Sequence, residues 1–361
     1  MMRHFYVGLA PIGASLIVLL LSPAVLSQSG TPTTSSALTA DINYRKRELE
    51  INPNSAEARA QLAIAYERSG DYVQMVETLS SHKDKIGRTG LVLLSRGYRK
   101  LTRFNDEVAA LELAIARYPK DPQLQTWLAS AQSRAGRREK AIEGYYKVKE
   151  AFPKYIPGYE GLLEELVKAD SRAEARDLIS DMIKRFGERG PWLSQLCALF
   201  TVDAFYERSI ETCNKAIKKD RSNPTNPVHL ATTFRETGEP DKAKKVLISA
   251  AMKIKRSEPI QTALGEYFVE KKNFVDAFRW YTAAVKADPK SYRAQLGFAQ
   301  SAFELQKMEE SIRGFTAICK MDRAKAVREF QTALGKLRQR SDFRWQGRFE
   351  DAISSNCQPN L

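Results

Sequence analysis

The chain has 361 residues, too many for one ordinary core of roughly 100–200 residues, so it is either two domains or an elongated array. With 43% hydrophobic and 28% charged residues, and only 19 Gly and 15 Pro, it is neither disordered nor low-complexity. Its net charge of +14 fits either plain solubility or an acidic partner: nucleic acid, an anionic membrane face or an acidic protein surface.

Arg3 and His4 precede an apolar run that is clearest from Ala14 to Leu21 and is broken by Pro23. Small residues follow at Val25 and Ser27, the places a signal peptidase accepts, so residues 1–27 read as a cleaved secretory signal. The other reading is an uncleaved anchor. The stretch from Phe5 to Leu21 is short for a span of ~20 residues and is interrupted by Gly8, Pro11 and Gly13. Export, with a bacterial periplasm as the expected compartment, argues against nucleic acid as the partner and permits disulfides.

Residues 28–38 are rich in Ser, Thr and Gly and read as a flexible linker. Residues 39–53 read as a capping helix, with Ile42, Leu49 and Ile51 apolar, ending before Pro53.

Over residues 54–323 the chain repeats. Leu94, Leu128, Leu162, Leu196, Leu230, Leu264 and Phe298 are spaced by 34 residues. A column of small or polar residues keeps the same period: Glu107, Ala141, Ala175, Ser209, Ala243, Ala277, Ser311. Another reads Leu111, Tyr145, Ile179, Cys213, Leu247, Tyr281, Phe315. Leu62, Ala63, Tyr66, Gly70, Tyr72 and Leu79 form an earlier unit with a two-residue slip. Each unit has two apolar stripes at helical spacing. The first helix ends near a Gly or polar turn, as at Gly70, Gly136 and Gly238, and the second often ends at Pro, as at Pro119, Pro153 and Pro289.

The end of the chain follows the same style. Residues 324–338 carry Val327, Phe330, Leu334 and Leu337 at helical spacing and read as a C-terminal capping helix. The tail, 339–361, mixes Phe343, Trp345 and Phe349 with Arg340, Arg344 and Arg348. It either folds back on the last repeat or binds a partner, and folding back is the favoured reading.

This pattern resembles the tetratricopeptide repeat family, most fully in Leu128, Ala129, Gly136, Ala141, Tyr145 and Pro153, and in Leu264, Gly265, Phe268, Phe274, Ala277, Tyr281, Ala284 and Pro289. Glu107 and Ser209 depart from it where Ala is usual. The resemblance implies an all-α, right-handed α-solenoid of about eight antiparallel helix pairs, with capping helices at both ends. It also implies a protein-binding groove lined by the first helix of each pair. The groove residues carried over are Arg96, Arg99, Thr126, Ser130, Ser133, Arg134, Glu160, Glu164, Ser194, Thr201, Thr232, Arg235, Thr262 and Glu266. They are small, polar and mixed in charge, which suits an extended segment or a partner helix.

Catalytic constellations are missing from the sequence. There is no His-Glu-x-x-His pair, Cys-x-x-Cys, phosphate-binding glycine loop or nucleophile elbow, and no cofactor is expected. Adjacent acids such as Glu164-Glu165 diverge by about 100 degrees on a helix and read as solvated faces. Four cysteines, Cys197, Cys213, Cys319 and Cys357, allow three pairings. Cys197 and Cys213 fall on facing helices of one repeat, where they are either two buried hydrophobes or a staple. If they pair, Cys319 and Cys357 remain, and that bond would pin the tail.

Most basic residues fall on second helices and turns. One basic cluster lies near the groove: Arg96, Arg99, Lys100, Arg103, Arg134, Arg137 and Arg138. It is either an ordinary solvated face or a docking site for an acidic peptide or an anionic envelope surface. The expected function is a non-enzymatic scaffold of the cell envelope, serving secretion, motility or envelope maintenance. The alternatives are a soluble chaperone or adaptor for exported clients and an adaptor to an anionic membrane surface. The oligomeric state is left open.

Overall fold

A computed structural model describes residues 35–357, and the expected signal segment 1–27 lies outside them. Among the described residues there are nineteen α-helices and no strand. The chain divides into two compact units. The first runs to Gly144 and holds α1 (Ser35–Ile51), α2 (Ala56–Ser69), α3 (Tyr72–Ser80), α4 (Arg88–Lys100), α5 (Phe104–Arg117), α6 (Pro122–Arg134) and the start of α7 (Arg138–Ala151). The second begins at Tyr145 inside α7. It continues through α8 (Ile156–Lys168), α9 (Arg172–Phe186), α10 (Gly190–Val202), α11 (Tyr206–Lys219), α12 (Thr225–Glu236) and α13 (Pro240–Lys253). Then come α14 (Glu258–Glu270), α15 (Phe274–Ala287), α16 (Tyr292–Glu304), α17 (Met308–Cys319), α18 (Arg323–Gln339) and α19 (Phe343–Asn356).

Within each unit the helices pair in chain order, and first helices of successive pairs touch, as α2 does α4 and α10 does α12. Side-chain oxygens start several of them: Ser55, Asp121 and Ser291 accept backbone N–H groups of their own first turns. Pro119, Pro153 and Pro289 each stand two residues beyond a second helix, where a missing N–H costs nothing.

The turn inside each pair has one conformational demand. Gly70, Thr102, Gly136, Asp170, Ala204, Gly238, Lys272 and Gln306 all have positive φ, and from Thr102 onward they recur every 34 residues. The left-handed residue lets the chain reverse within a few residues, and glycine is its cheapest occupant. Five of these turns use a side-chain-bearing residue, and strain is stored there. Ala204→Gly is therefore expected to stabilise the second unit by about 0.5–1 kcal/mol in urea unfolding, because relief of strain at φ 58° outweighs glycine's greater freedom in the unfolded chain.

Two sequence-drawn boundaries change. Helix α1 begins at Ser35, so the last four residues of the expected linker 28–38 are helical; no Gly or Pro separates them from the helix. The expected cap 324–338 and tail 339–361 are the two arms of one further hairpin, α18 and α19. Its turn residue Ser341 also has positive φ, 35 residues after Gln306. That extra residue takes the hairpin out of register with the preceding units. Counting that hairpin, the described residues hold nine helix pairs, from α2–α3 to α18–α19, which agrees with the expected all-α array of about eight pairs.

The small columns mark close approach. The ring of Tyr281 on α15 lies in a slot between Gly265 on α14 and Gly297 on α16. A Cβ added at Gly265 would lie 2.8 Å from the ring, and one at Gly297 would overlap it. Tyr145 packs on Gly161 in the same way. The cysteines pair within hairpins and across them: Cys197 with Cys213 at a Cα separation of 4.8 Å, and Cys319 with Cys357 at 5.3 Å, both within disulfide reach.

Candidate protein-binding face

The first unit carries the basic cluster. Arg96 on α4 reaches Glu67 on α2 at 3.4 Å. Arg134 on α6 forks onto Glu107 of α5, with Nε at 3.1 Å and Nη2 at 2.6 Å, and its Nη1 donates to the Ser130 hydroxyl at 2.7 Å. Glu107 is only 2% exposed. It occupies the column that holds Ala141, Ala175, Ala243 and Ala277 in later repeats. A carboxylate is tolerated between the helices because both its oxygens are met by one guanidinium. Arg134 therefore serves the fold first and has little left for a ligand.

The rest of the cluster is partly engaged. Arg103 pairs with Asp106 at 2.7 Å and lies over the Tyr98 ring, Lys100 lies over Tyr72, and Arg137 donates to Asn105 at 2.7 Å. Arg138 is exposed. Arg99 stands apart. It is exposed, and it makes no ion pair with an acidic side chain among the described residues. It nonetheless sits where side chains displace part of its water, and this, followed by the charge of Arg134, pulls its pKa below the ordinary guanidinium value. A polar recess of about 290 Å³ opens beside the cluster, lined by Thr102, Arg103, Phe104, Asn105, Asp106, Arg134 and Ala135.

In the second unit the expected groove residues largely answer one another. Glu160 accepts from the Trp192 indole at 3.3 Å, Glu164 pairs with Lys168 at 2.8 Å, and Arg235 pairs with Glu270. Glu266 takes Arg293 at 2.5 Å and lies 3.9 Å from Arg235. These charges cancel, and no basic stripe forms there.

Several of the hydroxyl residues already have partners within the chain. Thr126 donates to the Pro122 carbonyl and Ser194 to that of Gly190, each one turn back on its own helix, a bond that helical Ser and Thr readily make. Ser130 is held by Arg134, while Ser133 and Thr232 are half-buried. Two residues assigned to the open face are core residues. Thr262 is 2% exposed and bonds Glu258 at 2.8 Å. Thr201 joins Ser209 at 2.8 Å, and Ser209 joins Thr233 at 2.7 Å, in a buried network against Cys213. The family resemblance carries both to groove positions, but both side chains are buried.

Outside the cluster, aromatic rings absorb much of the positive charge. Lys242 lies over Phe234, Lys244 over Phe268, Lys307 over Phe278 and Arg313 over Phe298, at 4.9–5.6 Å from the ring centroids. His229, on α12, is neutral at physiological pH because burial pushes its pKa down to about 4. Among the described residues no group of three His, Cys, Asp or Glu side chains could hold a metal ion, and no helix is long and apolar enough to cross a membrane.

The chain is built of repeated antiparallel helix pairs within each unit. A tetratricopeptide repeat family profile matches two stretches of the chain, residues 92–156 and 262–326. No curated protein matches the chain. Among solved structures, the chain is similar to YrrB, described as a TPR protein with an unusual peptide-binding site, at 17% identity and a TM-score of 0.41 over 51% of this chain and 95% of that one. It is similar to a tetratricopeptide repeat protein from Parabacteroides merdae at 13% identity and a TM-score of 0.49, over 68% and 98% of the two chains. For yeast Tom70 the values are 13% and 0.46, over 88% and 86%.

Proposed function

We propose that this chain is a non-enzymatic scaffold of the bacterial cell envelope, exported and binding acidic segments of partner proteins on the first-helix face of its first unit. The observation that carries the reading is Arg99. It is an exposed guanidinium that forms no ion pair among the described residues, close to Arg96 and Arg134, whose charges are already met by Glu67 and Glu107. Such a group has donors to offer a carboxylate and has already lost some of its water, so binding costs it less further desolvation. Service in secretion, motility or envelope maintenance follows from the export reading of residues 1–27.

Charge reversal of Arg99 tests this. Arg99→Glu is expected to weaken capture of partners by ten- to a hundredfold, about what one charge-assisted pair contributes, and to leave thermal unfolding unchanged. Binding of the wild type should fall as ionic strength rises. A pull-down of the exported protein that returns the same partners in the same amounts with Arg99→Glu would sink the reading. Fixed stoichiometric partners mark a scaffold; a heterogeneous client set would mark a chaperone instead.

A further inference from the structure

The two cysteine pairs sit in very different settings. Cys197 and Cys213 are both 0% exposed, join the two arms of one hairpin, and are packed against the Thr201, Ser209 and Thr233 hydroxyls. Cys319 ends α17 and is 9% exposed, and Cys357 caps α19 close to the end of the chain. The second bond therefore ties a terminal helix to a helix two places back.

Besides the bond, α19 is held by a small apolar contact, with Trp345 and Ile353 partly buried against the core and Arg323 donating to the Cys357 carbonyl. Phe349 is its one large fully buried side chain, seated among Phe303, Phe315 and Phe330 with ring centroids 5.9–6.4 Å away. Ala352 is the other buried core residue ahead of Cys357. The ion pairs Arg348–Glu309 and Arg338–Glu350 join exposed side chains and add little.

The helix is also weak in itself. Gly347 lies in its middle with nothing within 4 Å of where a Cβ would be, and Gly335 does the same in α18. Elsewhere in the array, glycines such as Gly97, Gly161, Gly297 and Gly314 are required by a neighbour within 3.0 Å of the absent Cβ. Gly335 and Gly347 answer no such demand. They lower the helix propensity of both arms of the last hairpin without any packing return.

We propose that Cys319–Cys357 is a redox latch. Its reduction by a dithiol releases α19 from α17 and α18, while the buried Cys197–Cys213 bond stays closed. The exchange balances. One thiolate of the dithiol attacks a sulfur of the pair, and its second thiolate resolves the mixed disulfide. Both cysteine sulfurs end as thiols, and the two electrons come from the dithiol, which closes to its own disulfide. Attack requires access, and Cys319, at 9% exposed, is the least covered of the four cysteines, whereas Cys197 and Cys213 are 0% exposed. Release uncovers Phe315 and the Phe330, Leu334 and Leu337 stripe of α18, turning a closed end of the second unit into an apolar one.

The test uses the full chain, oxidised, titrated with dithiothreitol and trapped by alkylation, with mass analysis of each cysteine and hydrogen exchange in parallel. Cys319 and Cys357 should become alkylated at dithiothreitol concentrations that leave Cys197 and Cys213 bonded. Amides of 343–356 should then exchange on the order of a hundredfold faster or more, as expected for loss of a cross-link closing this length of chain, with 258–319 unchanged. Cys319→Ala/Cys357→Ala should show the same exchange without any alkylation. Adding Gly347→Ala to it should slow that exchange about fivefold. The latch is refuted if both pairs open together, if 343–356 keeps its protection once the bond is gone, or if the double variant loses protection throughout 258–340. It is equally refuted if Gly347→Ala gives no recovery.

Discussion

Gly297→Ala is expected to destabilise the second unit by about 3 kcal/mol, the upper end of the usual cost of overpacking. The Tyr281 ring already fills the slot between Gly265 and Gly297, and the new methyl would overlap it. A phenol ring cannot bend aside, and at 4% exposed this one is closed in by its neighbours. Retreat would carry the ring towards the helix bearing Gly265, where an added Cβ would already lie 2.8 Å from it. The rest of the chain supplies the remedy. One repeat earlier the equivalent positions hold Leu247 and Ala263, both buried in one apolar cluster. Tyr281→Leu alone should cost about 2–3 kcal/mol, since it removes ring volume beside a glycine. The double variant Tyr281→Leu/Gly297→Ala should lie at least 1–2 kcal/mol above the sum of the two losses. Urea unfolding followed by helical signal, with hydrogen exchange over 258–304, measures both. Strict additivity would show that the ring does not depend on the missing Cβ.

The 34-residue register was legible because it is written in side chains that must be buried, such as Leu128, Leu162 and Leu196. The turns were legible only where glycine marks them. Gly136 and Gly238 announce a left-handed residue, whereas Ala204, Lys272 and Gln306 hold the same conformation with nothing in their chemistry to show it. Their strain is carried by the flanking helices. The last hairpin was read as a cap and a tail because one added residue breaks the period between Gln306 and Ser341, and because Gly335 and Gly347 dilute the helical pattern. Among the candidate binding residues, spacing placed Arg99 on an open face. It could not distinguish Arg99 from Arg134, whose partner lies 27 residues back in another repeat. Glu107 stood out as an acid in an alanine column, but an acid buried there implies a cation nearby without naming it.

That pair yields the largest single effect expected in the first unit. Arg134→Ala should cost about 3–5 kcal/mol, because it leaves the Glu107 carboxylate between two helices with neither water nor a counter-charge. Glu107→Ala should stay within about 1 kcal/mol of wild type. It restores the small side chain found at Ala141 and Ala175, and the Arg134 guanidinium, 29% exposed, can turn to water. The double variant should resemble Glu107→Ala, so the coupling between the two sites should nearly equal the whole loss in Arg134→Ala. If Glu107→Ala proved as damaging as Arg134→Ala, the carboxylate would be stabilising the crossing rather than merely tolerated in it. The contrast also bears on binding. Arg99 forms no ion pair among the described residues and feels Glu107 and Glu67 only through charge, so its replacement should cost far less stability than Arg134→Ala and change mainly what the face captures. Loss of partners in an Arg134 variant would follow from a damaged first unit. Loss of partners in an Arg99 variant that unfolds normally can come only from the missing guanidinium.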